Sequence, residues 1–116
     1  MSHNLIALRI TMDEIPEDLW NYLKMKGCRL AAREGDGSKQ AFHYHMYLEG
    51  NLETIRKYFR RKYKGCNKLV SIATVRFPYD YIRYICKGED KDTEPVVYVN
   101  DGYDTHSLHN EYWSRK

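Results

Sequence analysis

Phe42-His43-Tyr44-His45-Met46-Tyr47-Leu48 decides the fold. Alternate side chains on a strand point to opposite faces, so this stretch predicts a strand with Phe42, Tyr44, Met46 and Leu48 toward the core. The two imidazoles of His43 and His45 then project together from the other face, one pleat apart, on a side of the sheet expected to be left open by the helices. Upstream, Glu34-Gly35-Asp36-Gly37-Ser38-Lys39 is turn punctuation of the kind that joins hairpin strands. Cys28 to Arg33 therefore reads as the antiparallel partner of the quoted strand.

Working outward, Leu5 to Met12 is a strand rich in Ile, Leu and Thr. Pro16, flanked by Asp13, Glu14, Glu17 and Asp18, opens a helix that Gly27 ends. Gly50-Asn51 opens a second helix over Leu52 to Tyr63, with Leu52, Ile55 and Phe59 on one face and Arg56, Lys57, Arg60, Arg61 and Lys64 on the other. Leu69 to Phe77 predicts a fourth strand and Pro78 starts a third helix running to Lys87-Gly88. Val96 to Val99 supplies a short last strand. The order β-α-β-β-α-β-α-β predicts an α+β fold with an antiparallel central sheet, of the split βαββαβ (RRM- or ferredoxin-like) kind. Beyond Gly102 the chain is poor in apolar residues and reads as a linker or frayed end. His106 and His109 there, three apart, suggest a second metal site, but with no placed carboxylate or cysteine they are read as incidental.

A chain of 116 residues has room for one domain, and 42% apolar residues suffice for a modest core. The charge of +3 is a mild basic excess, compatible with nucleic acid without requiring it. Three widely spaced cysteines without a C-x-x-C pair predict neither a disulfide framework nor structural zinc, and so an intracellular setting. No apolar run is long enough to span a bilayer, and no membrane partner is expected.

The chemistry concentrates in two places. His43 and His45, joined by Glu34 from the end of the neighbouring strand, form a mixed nitrogen and oxygen donor set suited to Mn²⁺ or Mg²⁺. On the third helix, Tyr84 and Lys87 lie three residues apart and share a face, while Ile82, Ile85 and Cys86 can bury the opposite one. Tyr81, one turn earlier, is a helper, a decoy or a packing ring. Phenol has a pKa of about 10, so a nucleophilic tyrosine needs a cation nearby to favour phenolate and to offset charge on a phosphate. Two blander readings stand beside this: half-exposed histidines on a strand, and packing rings on an amphipathic helix.

Taken together, these pieces resemble the HUH endonucleases, in particular the origin-nicking domain of replication initiator (Rep) proteins from circular single-stranded DNA viruses of the circovirus and geminivirus type. His43-Tyr44-His45 is similar to that family's second motif and Tyr84-Ile85-Cys86-Lys87-Gly88 to its third. Ile10-Thr11-Met12-Asp13 is similar to the first, with Asp13 where the family often has Asn. Circovirus relatives carry Gln at the second histidine, whereas His45 keeps the pair. The resemblance runs from about Leu5 to Asp101. It implies an HUH nuclease fold over 1–101, followed by a tail (102–116) leading toward a helicase domain and an oligomerisation region not contained in this sequence. It further implies a metal-dependent endonuclease and strand transferase that initiates rolling-circle replication at a stem-loop origin through a 5′-phosphotyrosine intermediate. Tyr84 and Lys87 would be catalytic, and Glu34, His43 and His45 would hold Mn²⁺ or Mg²⁺. Single-stranded DNA would be met by Arg9, Thr11, Asp13, Lys68, Arg76 and Tyr81, and the setting would be a host nucleus for a virus of eukaryotes. The basic face of the second helix, with Lys68 and Arg76 beyond it, either contacts phosphates or is a solvated surface. Two other function classes remain open: a plasmid- or transposon-type HUH nuclease, and a non-catalytic single-strand nucleic-acid binder.

Overall fold

The computed structural model describes residues 3–35, 42–63 and 69–115. In chain order the elements are β1 (Asn4–Thr11), α1 (Glu17–Met25), β2 (Cys28–Glu34), β3 (His43–Gly50), α2 (Leu52–Lys62), β4 (Val70–Thr74), α3 (Pro78–Ile85), β5 (Val96–Asn100) and α4 (Thr105–Ser114). The strands form one sheet in the order β4-β1-β3-β2-β5, every neighbouring pair antiparallel. The result is an α+β fold whose first four strands and first two helices follow the expected βαββαβ path. Residues 36–39 of the expected hairpin turn, with Lys64, Cys66 and Lys68, lie outside the described residues. The two strands that the turn joins pair as expected, with Glu34 opposite His43.

The alternation of β3 builds the larger core. Tyr44, Met46 and Leu48 pack with Ile6, Leu8 and Ile10 of β1, under Leu19 and Leu23 of α1 and Ile55 and Phe59 of α2. Asn51 caps α2 by accepting the Thr54 N–H at 2.9 Å, a contact typically stabilising by about 1 kcal/mol. Gly27 ends α1 at φ 102°, where a side chain would run into the Glu49 carbonyl, so the chain turns tightly into β2.

The other face of the sheet differs from expectation: the helices do not leave it open. Leu30 and Ala32 of β2 and Tyr47 of β3 present apolar surface there. Ile82, Ile85 and Cys86 of α3 cover that surface together with Leu108 of α4. The residues beyond Gly102 are likewise no frayed tail. Asp104 caps α4 by accepting the Ser107 N–H at 3.1 Å, and Leu108 and His109 are buried. His109 has a structural place, with Nδ1 2.9 Å from the Cys86 carbonyl oxygen and Nε2 2.9 Å from that of Lys91. The Trp113 indole donates to the Lys87 carbonyl at 2.7 Å. α4 thus meets the carbonyls of the two residues that follow α3. His106, by contrast, is exposed and pairs with Glu94 at 2.8 Å. Among the described residues, no helix is long and apolar enough to cross a membrane.

Candidate active site on the α3 face of the sheet

His45 stands opposite Arg9 on β1 and Ala32 on β2, while His43 stands opposite Thr11 and Glu34. The Glu34 carboxylate leans along the sheet toward His45 rather than across to His43. Its Oε1 lies 3.1 Å from His45 Nε2 and accepts from Lys87 Nζ at 2.7 Å. Their side chains are only 13%, 7% and 18% exposed for Glu34, His45 and Lys87 respectively. Burial pushes the Glu34 carboxyl up, but the hydrogen bonds and charges of His45 and Lys87 outweigh it, and the group sits below the usual carboxylate range.

A depressed carboxyl pKa in the folded state gives stability above the unfolded value that is lost as pH falls through the folded one. Glu34→Gln is expected to be less stable than the parent at pH 7, because Lys87 loses its partner. The gap should close from about pH 5 downward as the parent's Glu34 protonates. Urea midpoints across that range check this, and a gap of constant size would show that Glu34 does not contribute through its charge.

His43 is held apart from this group. Its Nδ1 is 3.3 Å from Arg9 Nη2 and 3.3 Å from Thr11 Oγ1. A guanidinium only donates, so Nδ1 accepts and a neutral ring carries its proton on Nε2. Burial, then the Arg9 guanidinium and His45, hold His43 below the ordinary imidazole range and favour the neutral ring. Among the described residues no three His, Cys, Asp or Glu side chains converge as a metal-binding group. Glu34 and His45 meet and His43 does not join them. Glu34 Oε2 is nevertheless buried without a hydrogen-bond partner. An orphaned anionic oxygen beside an imidazole is donor chemistry that fits a divalent cation.

Tyr84 comes to the same place from α3. Its ring is 5.3 Å from that of His45, edge to face, and Lys87 Nζ lies 5.0 Å from its centroid. With Arg9, His45, Ser71 and Tyr81 it lines a cavity of about 160 Å³ on this face. The two tyrosines of α3 are now distinguishable. Tyr84 is 38% exposed. The Tyr81 hydroxyl donates to the Met46 carbonyl at 3.0 Å, and burial pushes its pKa well up. Tyr81 is a packing ring, stacked on Tyr84 at 6.2 Å. The sequence singles out Tyr84 by the Lys87 three residues on, but which phenol is capped is decided by the docking of α3.

Of the residues read as DNA contacts, Arg9 and Thr11 border this site and Lys68 lies outside the described residues. Arg76 is exposed beside Phe77, 5.5 Å from its ring. Asp13 departs from the group: with Tyr44 donating to its carbonyl at 3.1 Å, it lines a different cavity on the α1 side of the sheet. The basic residues of α2 also belong to that side, since Ile55 and Phe59 pack into the α1 core. Comparison with protein-family models, with curated proteins and with solved structures gives no match.

Proposed function

We propose that the chain is a single-strand DNA nicking and joining domain of the HUH kind, with Tyr84 as the nucleophile. The observation that carries this reading is the position of an exposed phenol on one cavity with His45, beside a largely buried Lys87–Glu34–His45 cluster. The Tyr84 oxygen attacks the phosphorus of the scissile bond and loses its proton, and the 3′ oxygen leaves and is protonated. The 5′ phosphate stays on the protein as an aryl phosphodiester. Phenolate is a better leaving group than alkoxide, so an incoming 3′-hydroxyl can reverse the step and reseal a strand. The Lys87 ammonium, 5.0 Å from the ring centroid, is placed to offset charge on a phosphate approaching the phenol. Arg9, exposed at the rim, suits a flanking phosphate.

A divalent ion such as Mn²⁺ or Mg²⁺, held by Glu34 Oε2 with the imidazoles of His45 and His43, would polarise the scissile phosphate and offset its charge. For His43 to present Nε2 as a ligand, its Nδ1 must become the donor. Thr11 Oγ1 is in place to accept from it.

The test incubates the protein with Mn²⁺ and an end-labelled pool of stem-loop oligonucleotides with randomised loops. A denaturant-resistant protein–DNA adduct is expected. His45→Ala should lower its yield by about 10- to 100-fold at limiting Mn²⁺, the range that loss of contacts around a metal site usually costs. Strand binding without any adduct from any member of the pool would favour the non-catalytic binder instead.

A further inference from the structure

A second cavity, of about 440 Å³, opens on the α1 side of the sheet between the β1–α1 turn, the start of α1, β2 and β5. Its size is that of a small-ligand site rather than of a crevice. Trp20 and Tyr98 stack in its wall at 5.3 Å with 13° between their planes, and Tyr98 remains 40% exposed. The Arg33 guanidinium enters from β2, held over the Phe42 ring at 4.2 Å and 5.8 Å from that of Tyr98. The carboxylates of Asp13, Glu14 and Glu17 are exposed along the same lining. A flat aromatic wall calls for a planar ring. Three carboxylates against one guanidinium disfavour a phosphate and select a ring with N–H donors on one edge and acceptors on another.

We propose that this cavity reads a guanine base of the strand held at Tyr84. Guanine offers N1–H and N2–H side by side to one carboxylate and O6 with N7 to Arg33, the pairing that arginine makes most readily with a base. Thymine has one donor flanked by acceptors, so it cannot serve both partners at once. The cavity is also within reach of the strand. Tyr44, which lines it, lies in β3 between His43 and His45, and Asp13 follows Thr11 by two residues. The two cavities thus lie on opposite faces of the sheet, with Thr11 and His43 of the one side next in sequence to residues that line the other. The proposal rests on the nicking reading for the source of the base, but not for its recognition.

Tryptophan emission is followed on adding guanosine, adenosine, cytidine or thymidine. Trp20 lines the cavity, and Trp113, bonded to the end of α3, gives the background. Guanosine should bind at least about fivefold tighter than thymidine, the low end of what one good base contact provides. Arg33→Leu and the exposed Glu17→Gln should each remove that preference, while Tyr84→Phe should leave it intact. An oligonucleotide containing one guanine should then displace guanosine better than its guanine-free counterpart. Equal binding of all four nucleosides overturns the proposal. So does an organic cation such as methylguanidinium saturating the cavity without competition from guanosine, or the two oligonucleotides competing equally. Adduct formation does not enter these measurements, so its failure would remove the nicking reading and leave guanine recognition to stand or fall separately.

Discussion

Tyr84→Phe is expected to lower covalent adduct formation by at least about three orders of magnitude, since no other group replaces a lost nucleophile. Strand affinity should stay within about twofold, because only one exposed hydroxyl has gone. Tyr81→Phe should do the reverse. Its hydroxyl is spent on the Met46 carbonyl, so its loss costs about 1 kcal/mol of stability and leaves the adduct within a few-fold. Quantitative gels with both variants, alongside melting curves, separate the two tyrosines. An adduct that survives Tyr84→Phe and disappears with Tyr81→Phe would reassign the nucleophile.

His109→Ala should be the most destabilising single change in α4. Both ring nitrogens of this buried residue lie at hydrogen-bond distance from carbonyl oxygens, those of Cys86 and Lys91. Alanine leaves the Cys86 and Lys91 carbonyls unpartnered and a void beside Leu108. A loss of about 2–4 kcal/mol follows, on the order of 10 °C in Tm. The exposed neighbour Asn110→Ala should stay within about 0.5 kcal/mol. Because Cys86 closes the helix that carries Tyr84, the adduct rate of His109→Ala should fall even at temperatures where the variant remains folded. An unchanged rate there would mean that α4 supports the fold without positioning Tyr84.

The sheet was legible because its signals are local. The alternation from Phe42 to Leu48 assigned the larger core correctly, and Gly35 with the residues after it marked the β2–β3 hairpin. The same alternation placed Glu34, His43 and His45 at one end of the sheet. It could not say that Arg9 and Thr11 would claim His43 while Glu34 turned to His45, since side-chain pairing across strands depends on reach and charge rather than on period. The fate of residues beyond Gly102 was hidden for a related reason. An N-cap at Asp104 and an apolar Leu108 four residues on were the available local signs, but the bonds that hold α4 run to Cys86, Lys87 and Lys91, far away in sequence.

Two unequal layers flank the sheet, and the smaller one, made by α3 and α4, carries Tyr84. Less apolar surface holds that layer down, so it should lift away at a free-energy cost below that of global unfolding. Amide protons of Ile82 to Cys86 would then exchange with deuterium while those of β1 and β3 remain protected. On the nicking reading proposed above, the Tyr84 phenol would ride on a subdomain able to swing clear of the sheet, and a tethered DNA end could exchange partners without the rest of the molecule coming apart.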